Sequence, residues 1–289
     1  MSAESDFYFS ASLRHFKLPD ATLSLRQYGK GPALLLVHGF PLYGFTWRYL
    51  LPTLAKTFTC YVPDLAGKGG SDWDSNTDFT FPAHAARLKQ LMEQLGVSRY
   101  AVMAQDTGAT IARCLALMDS SRVSKLVLFN TEIPHHRPPW IPLFQLLTRL
   151  PGAQAGFRAL MSSRLYRRSS MGLGGCFTNP DLLDGEFHQY MIRPLLESSR
   201  RLEGVMRYLR GITWPVVDAM AEDHRKIVVP VLLVWGEEDP TFPIEHAQPM
   251  VRQFADCRGL VVIPQTRLLL HEEKSSEVLE NTLPFLQQA

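Results

Sequence analysis

Short apolar runs ended by turn residues recur along the chain, and the stretches between them repeat apolar residues at helical spacing. The runs fall at 33–37, 58–62, 100–103, 123–129, 229–235 and 260–263, after a hairpin expected over 10–28. Near-continuous apolar runs of this kind suit strands covered on both faces, as in a parallel sheet. Leu88, Leu91, Met92 and Leu95 lie at i, i+3, i+4 and i+7, and Leu279, Leu283 and Leu286 repeat the pattern near the C-terminus. Such spacing predicts helices with one apolar stripe. The alternation of the two patterns predicts an α/β fold, a doubly wound and mostly parallel sheet with right-handed crossovers.

Between Phe129 and Val229 the alternation stops. This stretch is rich in Pro, Arg and aromatic residues, and the segments 138–150, 156–166 and 201–214 read as helices joined by loops. An insertion at the C-terminal end of a parallel strand sits above the crevice where such sheets bind ligands. Residues 134–225 are therefore expected to form a helical lid, inserted after the sixth strand of a core made of 1–133 and 226–289.

Composition narrows the function classes. Of 289 residues, 46% are hydrophobic and 20% charged, which fits a globular protein and not a disordered one. Thirty basic and 28 acidic residues leave a net charge of +2, with no basic footprint for nucleic acid. No apolar run is long enough to span a bilayer, and the acidic N-terminus does not read as a signal peptide. Cys60, Cys114, Cys176 and Cys257 are scattered, so neither a metal site nor a disulfide framework is expected. The expectation is a cytoplasmic protein without metal or cofactor, monomer or homodimer, whose partner is a small apolar molecule.

One turn carries candidate chemistry. The apolar run at 100–103 continues through Ala104 and Gln105 into Asp106-Thr107-Gly108-Ala109, where a helix opens. A polar residue on a tight strand-to-helix turn between small neighbours has the geometry of a nucleophile elbow, and the helix N-terminus stabilises negative charge there. A carboxylate at this place attacks saturated carbon and leaves an ester on the enzyme. Read alone, Asp106 is equally an N-cap aspartate of an ordinary helix. Other strand ends add context: His38-Gly39-Phe40-Pro41 after the run at 33–37, Asp64-Leu65-Ala66-Gly67-Lys68-Gly69-Gly70-Ser71-Asp72 after the next, and Gly236-Glu237-Glu238-Asp239-Pro240 after the run at 229–235.

In order and spacing these segments resemble the α/β-hydrolase superfamily, specifically its aspartate-nucleophile branch of epoxide hydrolases and dehalogenases, over essentially the whole chain. The resemblance implies Asp106 as nucleophile and Asp239 as the acid that orients a histidine. It further implies the Phe40 and Thr107 backbone N–H groups as an oxyanion hole beside His38, and residues 134–225 as the cap. Tyr208 is the cap tyrosine best placed to donate a proton, with Tyr166 and Tyr190 competing for a partner role. Trp140, Phe144 and Trp214 are expected to line an apolar pocket.

The chain departs from the pattern at the general base. Holding His271-Glu272-Glu273 and the final helix in register puts Arg267 at the family's glycine and Leu268 at its histidine. His271 is the candidate substitute, but three residues of helix move it about 4.5 Å along the axis. Halide signatures are missing too, since Thr107 and Phe40 stand where dehalogenases usually have Trp and Asn. Three functions follow: an epoxide hydrolase-like enzyme slowed by the lost histidine, a non-hydrolytic tailoring enzyme (isomerase or cyclase) using Asp106 as acid or base, and a ligand-binding pseudoenzyme.

Overall fold

The computed structural model describes residues 1–288. Nine strands form one mixed sheet: β1 (Arg14–Lys17), β2 (Ala21–Tyr28), β3 (Ala33–Val37), β4 (Thr59–Pro63), β5 (Asp72–Trp73), β6 (Tyr100–Gln105), β7 (Val123–Phe129), β8 (Val231–Gly236) and β9 (Cys257–Ile263). Their spatial order is β1-β2-β4-β3-β6-β7-β8-β9, with β5 paired to β2. The six strands from β4 to β9 along that order run parallel, whereas β1 and β2 are antiparallel. β3, β6 and β8 are the apolar runs read from the sequence, and β6 and β8 are buried at every position, as strands covered on both faces must be.

Chain order and spatial order reverse between β3 and β6. From β3 the chain goes outward to β4, then returns to β6 on the other side and continues to β9. Such a reversal opens a crevice at the C-terminal strand ends, because the two connections leave in opposite directions. The residues after β3 and β6, namely His38 to Pro41 and Asp106, both lie at that point.

No strand occurs between β7 and β8 among the described residues. The interval holds helices Trp140–Leu147, Ala153–Ser162, Arg164–Arg168, Arg193–Leu196, Ser199–Gly211 and Trp214–Asp223, with a π-helical turn at Phe187–Ile192. It follows the seventh strand and not the sixth, because β5 was not foreseen. β5 is two residues long, held by Ala21 and Thr22 of β2, and too short to carry an alternating pattern. The N-terminal hairpin begins at Arg14, preceded by helix Ala3–Ser10, whose Ser2 side chain accepts from the Ser5 N–H.

Helix Ser199–Gly211 lies against the core. Leu202, Val205 and Met206 pack with Leu195 and against Phe40. Gly204 and Gly67 make this approach possible: a Cβ on Gly204 would lie 2.7 Å from the Gly67 carbonyl oxygen. Gly67 itself has φ +78°, a conformation that favours glycine.

Candidate active site

Asp106 is the junction between β6 and helix Thr107–Met118, with φ 54° and ψ −133°. A non-glycine residue there is strained and persists because its surroundings hold it. Its N–H donates to the Phe129 and Asn130 carbonyls, and the Thr131 hydroxyl donates to its carbonyl at 3.0 Å. Small neighbours are required. A Cβ on Gly39 would lie 2.5 Å from the Asp106 Cβ, and one on Gly108 would lie 2.4 Å from the His38 carbonyl oxygen. The strained turn aims the Asp106 carboxylate at the β3 loop, where the Phe40 N–H donates to Oδ2 at 2.7 Å. The Thr107 hydroxyl also donates to this carboxylate, at 3.4 Å.

His38 holds that loop through both ring nitrogens. Its Nε2 accepts from the Leu65 N–H at 2.9 Å, so Nδ1 carries the proton and donates to the Gly39 carbonyl at 3.0 Å. Burial pushes its imidazole down to about 3, which keeps it neutral.

Two further carboxylates surround Asp106. Asp239 lies three residues beyond β8, where it accepts from Asn130 Nδ2 at 2.6 Å and from the Thr241 N–H at 2.8 Å. Burial pushes its carboxyl up to about 6, against those hydrogen bonds. Glu132 lies three residues beyond β7 and was not singled out in the sequence. The Thr110 hydroxyl donates to its Oε2, while its Oε1 is buried without a partner. Burial first, and then the Glu132 charge, hold the Asp106 carboxyl well above the usual carboxylate range. The matching offset of Glu132 and Asp239 from their strand ends was a readable signal.

Lys68 carries no signal in the sequence beyond its place in a glycine-rich turn. Its side chain is only 3% exposed, and its Nζ has no hydrogen-bond partner. The Nζ lies 4.5 Å from the Phe40 ring centre and 4.6 Å from that of Tyr208. Burial pushes its ammonium well down, and the Asp106 charge opposes that shift. A cavity of about 170 Å³ is bordered by Lys68, Arg26, Tyr43, Arg201 and Val205.

Tyr208 is buried and donates from its hydroxyl to Thr107 Oγ1 at 2.8 Å, which ties helix Ser199–Gly211 to the elbow. Tyr166 and Tyr190 stand apart. The first donates to the Met171 carbonyl at 3.1 Å, and the second packs on Phe9 and Phe45 with its hydroxyl on Met1. Trp214 lies beneath Arg137 at 5.8 Å, Trp140 opens a helix without a buried residue, and neither borders the Lys68 cavity.

His271 is fully buried in a separate polar cluster. Arg48 pairs with Glu272 at 2.7 Å, and the Thr46 hydroxyl donates to Glu272 at 2.9 Å. Since Thr46 is thereby a donor, His271 Nε2 donates to it at 2.7 Å. The ring lies 5.0 Å from that of Trp47. Burial, and then the Arg48 charge, push the imidazole down to about 3. Leu268 is buried in the main apolar core. Among the described residues, no cluster of three or more His, Cys, Asp or Glu is gathered as a metal would need, and no helix is long and apolar enough to cross a membrane.

Comparison with known proteins places the fold. Residues 32–169 match the family described as "alpha/beta hydrolase fold". Haloalkane dehalogenase 2 of Mycobacterium bovis is 36% identical over 260 residues, covering 86% of each chain. The chain belongs to the α/β-hydrolase family. Epoxide hydrolase 4 of Homo sapiens is 26% identical to this α/β-hydrolase, over 95% of its chain and 78% of the human one. The haloalkane dehalogenase DbeA of Bradyrhizobium elkani superposes on it with a TM-score of 0.76 at 21% identity, covering 95% of this chain and 97% of that one.

Proposed function

We propose that this α/β-hydrolase opens an epoxide by attack of the Asp106 carboxylate on a ring carbon, forming an ester that water then hydrolyses. The observation that carries the proposal is the elbow: a carboxylate on a left-handed strand-to-helix turn, at the reversal point of the sheet, held by the Phe40 N–H. A strained electrophile suits a site with no imidazole beside the nucleophile, because ring strain drives the first step. Epoxide hydrolases are among its relatives. A halide reading is supported by the Mycobacterium bovis relative. It lacks a cradle here, since Thr107 and Phe40 offer neither an indole N–H nor a side-chain amide. Residues 134–225 act as the cap: helix Ser199–Gly211 covers the elbow, and the Tyr208 hydroxyl anchors it to Thr107.

The test is intact-mass measurement after incubation with a panel of apolar epoxides. An adduct of the epoxide's mass is expected on the protein and absent in Asp106→Asn. One observation favours a second reading. Burial and the Glu132 charge raise the Asp106 carboxyl above the usual carboxylate range, which suits an acid–base group in a non-hydrolytic rearrangement. An isomerised product without any adduct would replace the first reading with that one.

A further inference from the structure

The epoxide reading leaves two proton transfers without a carrier. The opened ring needs a proton on its oxygen, and the water that attacks the ester must lose one. Tyr208 is poorly suited to either. Its hydroxyl is committed to Thr107, and burial pushes its phenol well above the ordinary range. His271 is enclosed by Thr46, Trp47 and the Arg48–Glu272 pair. Leu268 has nothing to offer.

We propose that Lys68 is the acid–base residue of this site, its Nζ held between the Phe40 and Tyr208 rings to serve the ester chemistry at Asp106. The inference rests on the epoxide reading. Phe40 gives its N–H to Asp106 and Tyr208 gives its hydroxyl to Thr107, so the two rings that flank the amine belong to the residues that frame the carboxylate. A buried ammonium normally finds an acceptor, and this one has none. No hydrogen bond or ion pair joins it to Asp106, although the Asp106 charge acts on it. Lys68 also borders the cavity of about 170 Å³, which Asp106 does not line, while its Nζ is itself enclosed.

The proton makes one round trip. Asp106 bonds to a ring carbon, the ring C–O bond breaks with its electron pair on oxygen, and that oxygen takes a proton from the Lys68 ammonium. The products are an ester and a neutral amine. The amine then takes a proton from water as the water oxygen bonds to the Asp106 Cγ. The tetrahedral intermediate expels the alkoxide, which takes the acid's proton, so a diol leaves and carboxylate and ammonium are restored. Burial equips Lys68 for both halves, because an amine held below the ordinary lysine range gives up its proton more readily than a solvated one and can take it back.

Other titratable groups facing Lys68 are Asp106 at the elbow, His38 after β3, His84 on helix Phe81–Gln94 and Tyr208 from the insertion. Burial holds both histidines neutral, so Asp106 and Lys68 dominate the pH response. Ester formation needs the Asp106 carboxylate together with the Lys68 ammonium. Its rate rises with pH as Asp106 ionises and falls again as Lys68 loses its proton.

The experiment is rapid-quench mass spectrometry with an apolar epoxide that labels the unmodified protein, run across pH. Lys68→Met should slow ester formation by about 100-fold and abolish the alkaline limb. Lys68→Arg keeps the charge but can neither give nor take the proton, so both ester formation and ester release should slow. Unchanged rates and pH profile in Lys68→Met would overturn this inference and leave the nucleophile standing. No adduct in the unmodified protein would overturn both. Should either variant fail to fold, the unmodified profile still decides: an alkaline limb below the ordinary lysine range is expected, and its absence contradicts the role of Lys68.

Discussion

An aspartate held at φ 54° costs of order 1–3 kcal/mol, and the sequence shows why this one is tolerated. Gly39 and Gly108 give it room, and Phe40 supplies the N–H that its carboxylate needs. The small neighbours were visible in the chain; the strain was not, because it depends on β3 lying beside β6. Lys68 was illegible for a related reason. A lysine in a glycine-rich turn reads as solvated until helix Ser199–Gly211 is laid over it. The two candidate base positions separate cleanly at this scale. His271→Gln removes a neutral imidazole whose native value is about 3. In the unfolded chain it ionises below about pH 6.5. Between these values the unfolded state binds the extra proton, so this histidine destabilises the native protein as pH falls. The stability advantage of the unmodified protein over His271→Gln should therefore shrink by up to about 1.4 kcal/mol per pH unit below pH 6.5, measured by denaturant unfolding. A constant difference would show that the imidazole is not held neutral. Ester release should survive this substitution, and Leu268→His should restore release in Lys68→Met by about 100-fold.

Among the elements, the helical insertion is where sequence reading succeeded in kind and stopped short in detail. Its lack of strands was legible from the missing apolar runs. Its docking was not, since that depends on two glycines far apart in sequence. Gly204 brings a helix backbone against Gly67 and so fixes Tyr208 over Thr107 and Lys68 beneath Tyr208. In Gly204→Ala the added methyl meets backbone at 2.7 Å and 2.9 Å, contacts that no flexible side chain can relieve. Thermal unfolding should show a loss of about 1–3 kcal/mol. Single-turnover ester formation should fall as well, because the helix can no longer seat the Tyr208 hydroxyl. Full activity would mean that the insertion does not organise the elbow.

For the molecule as a whole, the parallel order of β3, β6, β7 and β8 followed from apolar runs alone, whereas the polar network at the strand ends did not. Each strand end delivers one group: Phe40 after β3, Lys68 after β4, Asp106 after β6, Glu132 after β7 and Asp239 after β8. Their convergence is a property of the sheet, not of any segment. In this mechanism Asp106 becomes esterified and water then attacks its own carbonyl carbon. Repeated turnover of an epoxide in water labelled with heavy oxygen, followed by mass measurement of the peptide containing Asp106, distinguishes this route from direct attack. Heavy oxygen should appear in the Asp106 carboxylate and increase with the number of turnovers. Label found in the diol alone, with the Asp106 peptide unchanged, would show that water attacks the epoxide directly and would contradict it.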